Sequence, residues 1–251
     1  MMEPKSVGAG EGLTWFGCGW NLFKADWAIW IGIFVVFALI AVGLWLIPFL
    51  GSLVLTIIVP ALTGGAMYAA SVSASGERVK LEHAFQGFSE TAPRSRLLTL
   101  GLILLAAHVA LLLLALVLFG AGALLANQAT EAVALHPEAL GAGALLGVLV
   151  VVSLSLLVVM LFYYAPPLVM LRGLTPRDAL VASFSACMRN ILPILVFQLV
   201  LLVLFFIATI PLGLGLLVLM PLGLCAFYCS FDAIFPAPAA ARPGQAPPLL
   251  R

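Results

Sequence analysis

The chain has 251 residues, of which 64% are hydrophobic and 8% charged, with a mean hydropathy of +1.24 and a formal net charge of +1. Soluble domains carry about a quarter charged residues, so this composition excludes a soluble enzyme or binding module. It predicts an all-α polytopic membrane protein.

Charges are absent from four blocks, residues 27–76, 97–130, 139–171 and 190–231, which are 50, 34, 33 and 42 residues long. A spanning helix needs about 20 apolar residues at about 1.5 Å rise each. The outer blocks each hold two spans and a turn, and the middle blocks hold one span each. Six spans are predicted, as three hairpins flanked by cytoplasmic amphipathic interfacial helices. The outer blocks also repeat one layout: Lys24 to Pro48 is 24 residues and Arg189 to Pro211 is 22, while Pro48 to Pro60 is 12 and Pro211 to Pro221 is 10. Pro48 and Pro211 are read as turns, and Pro60 and Pro221 as kinks in the returning spans.

In chain order, residues 1–10 are expected to be disordered, with no cleavable signal peptide. Trp20, Phe23, Trp27 and Trp30 then form a stripe suited to a helix in the headgroup region that turns into the bilayer. Spans are predicted over 28–47 and 52–72, with Gly64-Gly65-Ala66 as a small surface for close helix approach. The stretch 73–96 is polar and basic, carrying Arg78, Lys80, Arg94 and Arg96. Within it, Leu81, Ala84, Phe85 and Phe88 mark a short amphipathic helix on which His83 is solvated.

The third span, 97–119, contains His108, 12 residues beyond Arg96 and about 18 Å along the axis. An ionisable group at that depth is a candidate site, but with no Asp, Glu, Lys or Arg in any span to titrate alongside it the reading preferred is a donor that ties two helices together. The segment 127–140 is a loop whose Glu131, His136 and Glu138 match no metal-binding spacing. The fourth span, 141–164, holds Ser153 and Ser155 and ends at Pro166-Pro167. Thr175-Pro176-Arg177-Asp178 reads as a helix start with a threonine cap, a proline in the first turn and a capping acid. That helix runs to Arg189, with Leu180, Phe184, Cys187 and Ile191 on one face and Asp178, Ser185 and Arg189 on the other. Gln198 lies inside the fifth span, 191–209. The sixth span is 214–231, and the Ala/Pro-rich tail 236–251 is expected to be disordered.

Four scattered cysteines do not form a disulfide framework, so Cys18, Cys187, Cys225 and Cys229 are expected as reduced thiols. All eleven basic residues fall on the side of the termini, which the positive-inside rule assigns to the cytoplasm. The repeated hairpins are parallel, whereas inverted repeats mark many transporters.

Several segments together resemble an uncharacterised family of proteobacterial multi-pass inner-membrane proteins: Gly19-Trp20-Asn21-Leu22-Phe23-Lys24, Ile47-Pro48 with Gly51, the 81–88 segment, the helix from Ala179-Leu180 to Arg189-Asn190, Pro211-Leu212-Gly213-Leu214-Gly215, and the 228–235 ending. The resemblance covers residues 12–235. More distantly, the layout is similar to the membrane region of bacterial glycerophosphodiester phosphodiesterases. Those relatives carry catalysis in a separate soluble domain with acidic and histidine metal ligands, and no such set occurs in this sequence.

The expected function is a non-catalytic scaffold or accessory factor of the bacterial inner membrane, contacting lipids through Arg78, Lys80, Arg94, Arg96, Arg177 and Arg189. The alternative is a small transporter or lipid-translocating permease with a path past His108, Gln198, Ser153 and Ser155. Membrane lipids are the expected partners, with an unidentified membrane protein as a further candidate. No enzymatic activity, metal, cofactor or nucleic-acid partner is expected.

Overall fold

The computed structural model describes residues 3–89, 91–127 and 137–236. The 237–251 tail and most of the predicted 127–140 loop, including Glu131 and His136, lie outside the described residues. Among the described residues all regular structure is helical. Six helical stretches are long and apolar enough to cross a membrane: Trp27–Trp45, Leu50–Ala74, Pro93–Gly120, Gly143–Arg172, Ile191–Thr209 and Leu216–Ile234.

Helix α1 (Glu11–Ala25) precedes α2 (Trp27–Trp45). Asp26 breaks the chain between them with φ −136°, and its carboxylate accepts a hydrogen bond from the Val79 amide at 3.0 Å. That break divides the predicted aromatic stripe. Phe23 and Trp30 go into the core, while Trp20 and Trp27 stay exposed.

Helix α3 (Leu50–Ala74) contains Pro60 and uses its small residues as the sequence suggested. Gly64 lies against Leu97, and a Cβ on Gly65 would overlap the Ala84 carbonyl. The predicted 81–88 helix is a 3-10 turn (Leu81–Phe85) followed by the single turn α4 (Gln86–Ser89). Ala84 and Gly87, rather than the phenylalanines, are its fully buried residues.

The long helix α5 (Thr91–Asn127) packs on α3 and on α6 (Pro137–Phe162). The chain then bends at Tyr163-Tyr164 and restarts as α7 (Ala165–Arg172), with proline in its first turn. Gly173 ends α7 with φ +65°, a left-handed conformation glycine adopts without a Cβ penalty. Thr175 caps α8 (Pro176–Arg189) as predicted: its Oγ1 accepts from the Asp178 amide at 3.2 Å and donates to the Asp178 carboxylate at 2.7 Å. The buried stripe of α8 is Ala179, Ala182, Ser183 and Ala186, with Cys187, while Ile191 is exposed. Small side chains win this face because they let the backbones approach closely. Helices α9 (Ile191–Thr209) and α10 (Leu216–Ile234) complete the chain.

The most extensive helix contact is α1 on α10. A Cβ on Gly19 would fall 2.6 Å from the Ala226 amide nitrogen, so only glycine allows that approach. One residue away, Cys18 is bonded to Cys229, with Cα atoms 6.2 Å apart. The expectation of four free thiols is corrected here, because a partner 211 residues distant leaves no trace in local spacing. The N-terminal segment is likewise held rather than loose: Lys5 donates to the Ile234 carbonyl at 2.8 Å, and Val7 to the Asn190 side chain at 2.9 Å.

Candidate functional site

Among the described residues no hydrogen bond joins the residues proposed to border a path. His108 is exposed on α5, and its Nδ1 lies 2.9 Å from the Leu104 carbonyl of its own helix. Ser153 and Ser155 on α6 donate to the Leu149 and Val151 carbonyls at 2.7 and 2.8 Å. Such i to i−4 bonds satisfy a hydroxyl without reaching a neighbouring helix. Gln198 belongs to α9, one residue from Phe197, where α1 crosses. It lines a crevice of about 500 Å³ between α2, α9 and α10, with Phe34, Phe37, Leu201, Leu219 and Phe227 among the apolar walls.

Most of the basic residues expected to contact lipid are at the surface. Arg78, Lys80, Arg94, Arg177 and Arg189 are exposed, and Lys80 pairs with Glu82 at 3.4 Å. Arg96 is half-buried and donates to the Gly173 carbonyl at 2.6 Å, joining the start of α5 to the turn between α7 and α8. Arg96 is thus a structural clasp rather than a free lipid contact. Beneath Arg189, a hollow of about 360 Å³ is lined by Glu3, Asp178, Ser185 and Arg189. These charges of both signs come from α8 and the N-terminal segment.

Sequence reading missed a buried polar and aromatic node. Tyr164, Ser183, Asn190 and Ser230 are fully buried. Ser183 Oγ accepts from the Tyr164 amide at 2.9 Å and donates to the Met160 carbonyl at 2.8 Å, holding the bend between α6 and α7 against α8. The Tyr164 and Ser230 hydroxyls lie 3.1 Å apart, and the Tyr164 ring stacks on Phe227 at 5.5 Å. Arg172 donates to the Phe235 carbonyl at 2.6 Å, approaches Asp232 at 3.4 Å, and lies 5.1 Å above the Phe231 ring. The Ser183 and Ser230 spacings look like ordinary polar interruptions of a helix. Only the doubled tyrosine at the predicted bend hinted at the node.

Cys187 borders this node, its Sγ 3.6 Å from the Met160 carbonyl. Burial pushes the thiol up to about 12, against a lowering by the Ser183 hydroxyl. Among the described residues no group of three or more His, Cys, Asp or Glu side chains is placed to hold a metal.

The chain is similar to a probable inner membrane protein of Burkholderia thailandensis, 28% identical over 250 residues that cover 93% of each chain. No family model and no solved structure matches. The likeness to phosphodiesterase membrane regions finds no support in these comparisons. Inner-membrane location and multi-pass character follow from the relative and from the six apolar helices.

Proposed function

We propose that this multi-pass inner-membrane protein is a non-catalytic scaffold or accessory factor whose exposed basic residues engage anionic lipid headgroups at the cytoplasmic leaflet. In this reading the apolar helices pair as α2 with α3, α5 with α6 and α9 with α10. Both termini are cytoplasmic, which puts all eleven basic residues on one side. The observation that carries the proposal is the Arg96 to Gly173 bond, which ties the end of the Arg78 to Arg94 stretch to the turn that precedes the α8 arginines. Each basic residue near an anionic surface contributes about 1 kcal/mol, an attraction that salt screens within about 10 Å. Electron spin resonance with spin-labelled phosphatidylglycerol and phosphatidylcholine tests it. Preference for the anionic lipid at low salt, falling as salt rises, is the expected result, and equal affinity at every salt concentration overturns it.

The Gln198 crevice supports a second reading, a small transporter or lipid-translocating permease. Against it, His108, Ser153 and Ser155 do not line that crevice, and each is bonded within its own helix.

A further inference from the structure

The helices differ in how far they reach into the membrane. A Cβ on Gly101 would overlap the Ile57 carbonyl, and one on Gly64 would meet Leu97 at 3.1 Å, which fixes the antiparallel register of α3 on α5. Following that register, Leu50 at the start of α3 lies level with about His108. From Arg96 to His108 is about 18 Å of helix. Yet α5 continues to Asn127, about 28 Å beyond the α2–α3 turn.

Two other levels agree. The polar segment around Glu82 and His83 folds back along α3, with Ala84 against Gly65 and Gly87 against Ala61. Only residues 50–61 of α3 extend past it, about 16 Å. Helix α1, which carries Glu11 and Lys24 in its end turns, crosses α9 at Pro193 to Phe197 and α10 at Ala226. Beyond that crossing α9 runs about 18 Å to Thr209, and α10 begins about 15 Å away at Leu216. The hydrocarbon core is about 30 Å thick.

The tips match such a depth. Residues 45–51 and 210–215 carry no charge, and their one polar side-chain group is the Trp45 indole N–H; Trp45, Phe49, Ile210 and Leu212 are 80%, 88%, 80% and 97% exposed. Backbone in lipid must satisfy itself, and these turns come close to doing so. The amides of Leu46, Ile47, Leu50 and Gly51 in one, and of Ile210, Leu212, Gly213 and Leu214 in the other, donate to carbonyls within the turn or the adjoining helix end. Pro48 and Pro211 have no amide to satisfy. Keeping to this closed pattern puts Phe49 and Leu212 at φ +59° and +54°. The nearest hydroxyls, Ser52 and Thr209, bond back to the Phe49 and Phe206 carbonyls.

We infer that the α2–α3 and α9–α10 pairs end inside the bilayer and that α5 and α6 alone cross it. The chain is then a wedge that fills the leaflet beside Arg96 with six apolar helices and the opposite leaflet with two. These depths are the same whichever side is cytoplasmic.

Cysteines introduced one at a time as Phe49→Cys, Leu212→Cys and Glu131→Cys in the full chain, exposed to a membrane-impermeant maleimide in spheroplasts and in inside-out vesicles and read against the labelling of the four native cysteines in the wild type, test this. Glu131→Cys is expected to react from the periplasmic side. The other two are expected to react about tenfold or more slowly from either side, until detergent is added. Labelling of Phe49→Cys or Leu212→Cys from the periplasm at the Glu131→Cys rate overturns the inference. Reaction of Glu131→Cys from the cytoplasm instead overturns the proposed orientation and leaves the depth standing. As a second measure, a nitroxide on Leu212→Cys is expected to relax faster with oxygen than with an aqueous nickel chelate; the reverse order overturns the inference.

Discussion

Asn190 and Val7, 183 residues apart, are joined by a 2.9 Å hydrogen bond in which the Val7 amide donates to Asn190 Oδ1. The Asn190 amide group donates to the Lys5 and Ala186 carbonyls, both at 3.0 Å, and the side chain is fully buried. One asparagine thus anchors the N-terminal segment to the end of α8. Asn190→Leu removes all three bonds and strands the Val7 amide, a loss of about 1–3 kcal/mol. Thermal unfolding in detergent is expected to show that loss, together with faster proteolysis ahead of Glu11.

Arg172 joins the end of α7 to the end of α10. Its contact with Asp232 is weak, because Asp232 is 42% exposed and the separation is 3.4 Å, whereas the bond to the Phe235 carbonyl is 2.6 Å. Stability is expected to follow the second contact. Arg172→Lys keeps the charge but loses the planar fork and the packing on Phe231, and is expected to cost about 1.5–3 kcal/mol. Asp232→Asn is expected to cost less than about 1 kcal/mol. Melting temperatures of the two variants check the order.

Cys187 is held as a neutral thiol, pushed up to about 12 by burial. Alkylation of the folded protein at pH 8 is expected to be slow, accelerating as pH rises toward that value or when detergent unfolds the chain. The raised value also carries a stability sign. The contribution is complete below the unfolded thiol value of about 8.5 and is lost progressively as pH climbs above it. Rates of iodoacetamide modification between pH 7 and about 11 check the first statement, and unfolding over that range checks the second.

The Cys18 to Cys229 bond closes α1 onto α10 on the side proposed to face the cytoplasm. Thiols are kept reduced in that compartment. Acid quenching of growing cells followed by alkylation is therefore expected to recover both cysteines as thiols, while protein purified in air carries the bridge. A bridge already complete in quenched cells argues for the opposite orientation.

What the sequence disclosed follows from physics that is local along the chain. Apolar length marked six helices, the prolines at 48 and 211 marked turns, and Thr175 with Asp178 marked a helix start. Contacts between distant segments stayed hidden. Nothing around Cys18 points to Cys229, and nothing around Asn190 points to Val7. The face of α8 was misread because large apolar residues were assumed to turn inward, whereas Ser183 needed the close approach that alanines permit. Gln198 was read as lying inside the fifth span, and nothing near it in sequence showed that α1 crosses one residue away at Phe197.

Selection of anionic lipid by the exposed arginines is read out by native mass spectrometry of the protein released gently from its own membrane. Wild type is compared with the Arg78→Gln, Arg94→Gln, Arg177→Gln, Arg189→Gln variant, with Arg96 left in place because it clasps Gly173. Anionic phospholipid is expected to stay on the wild type, to be mostly lost from the variant, and to be unchanged on His108→Leu. Equal retention on wild type and the four-arginine variant, or loss on His108→Leu alone, overturns lipid selection by these arginines.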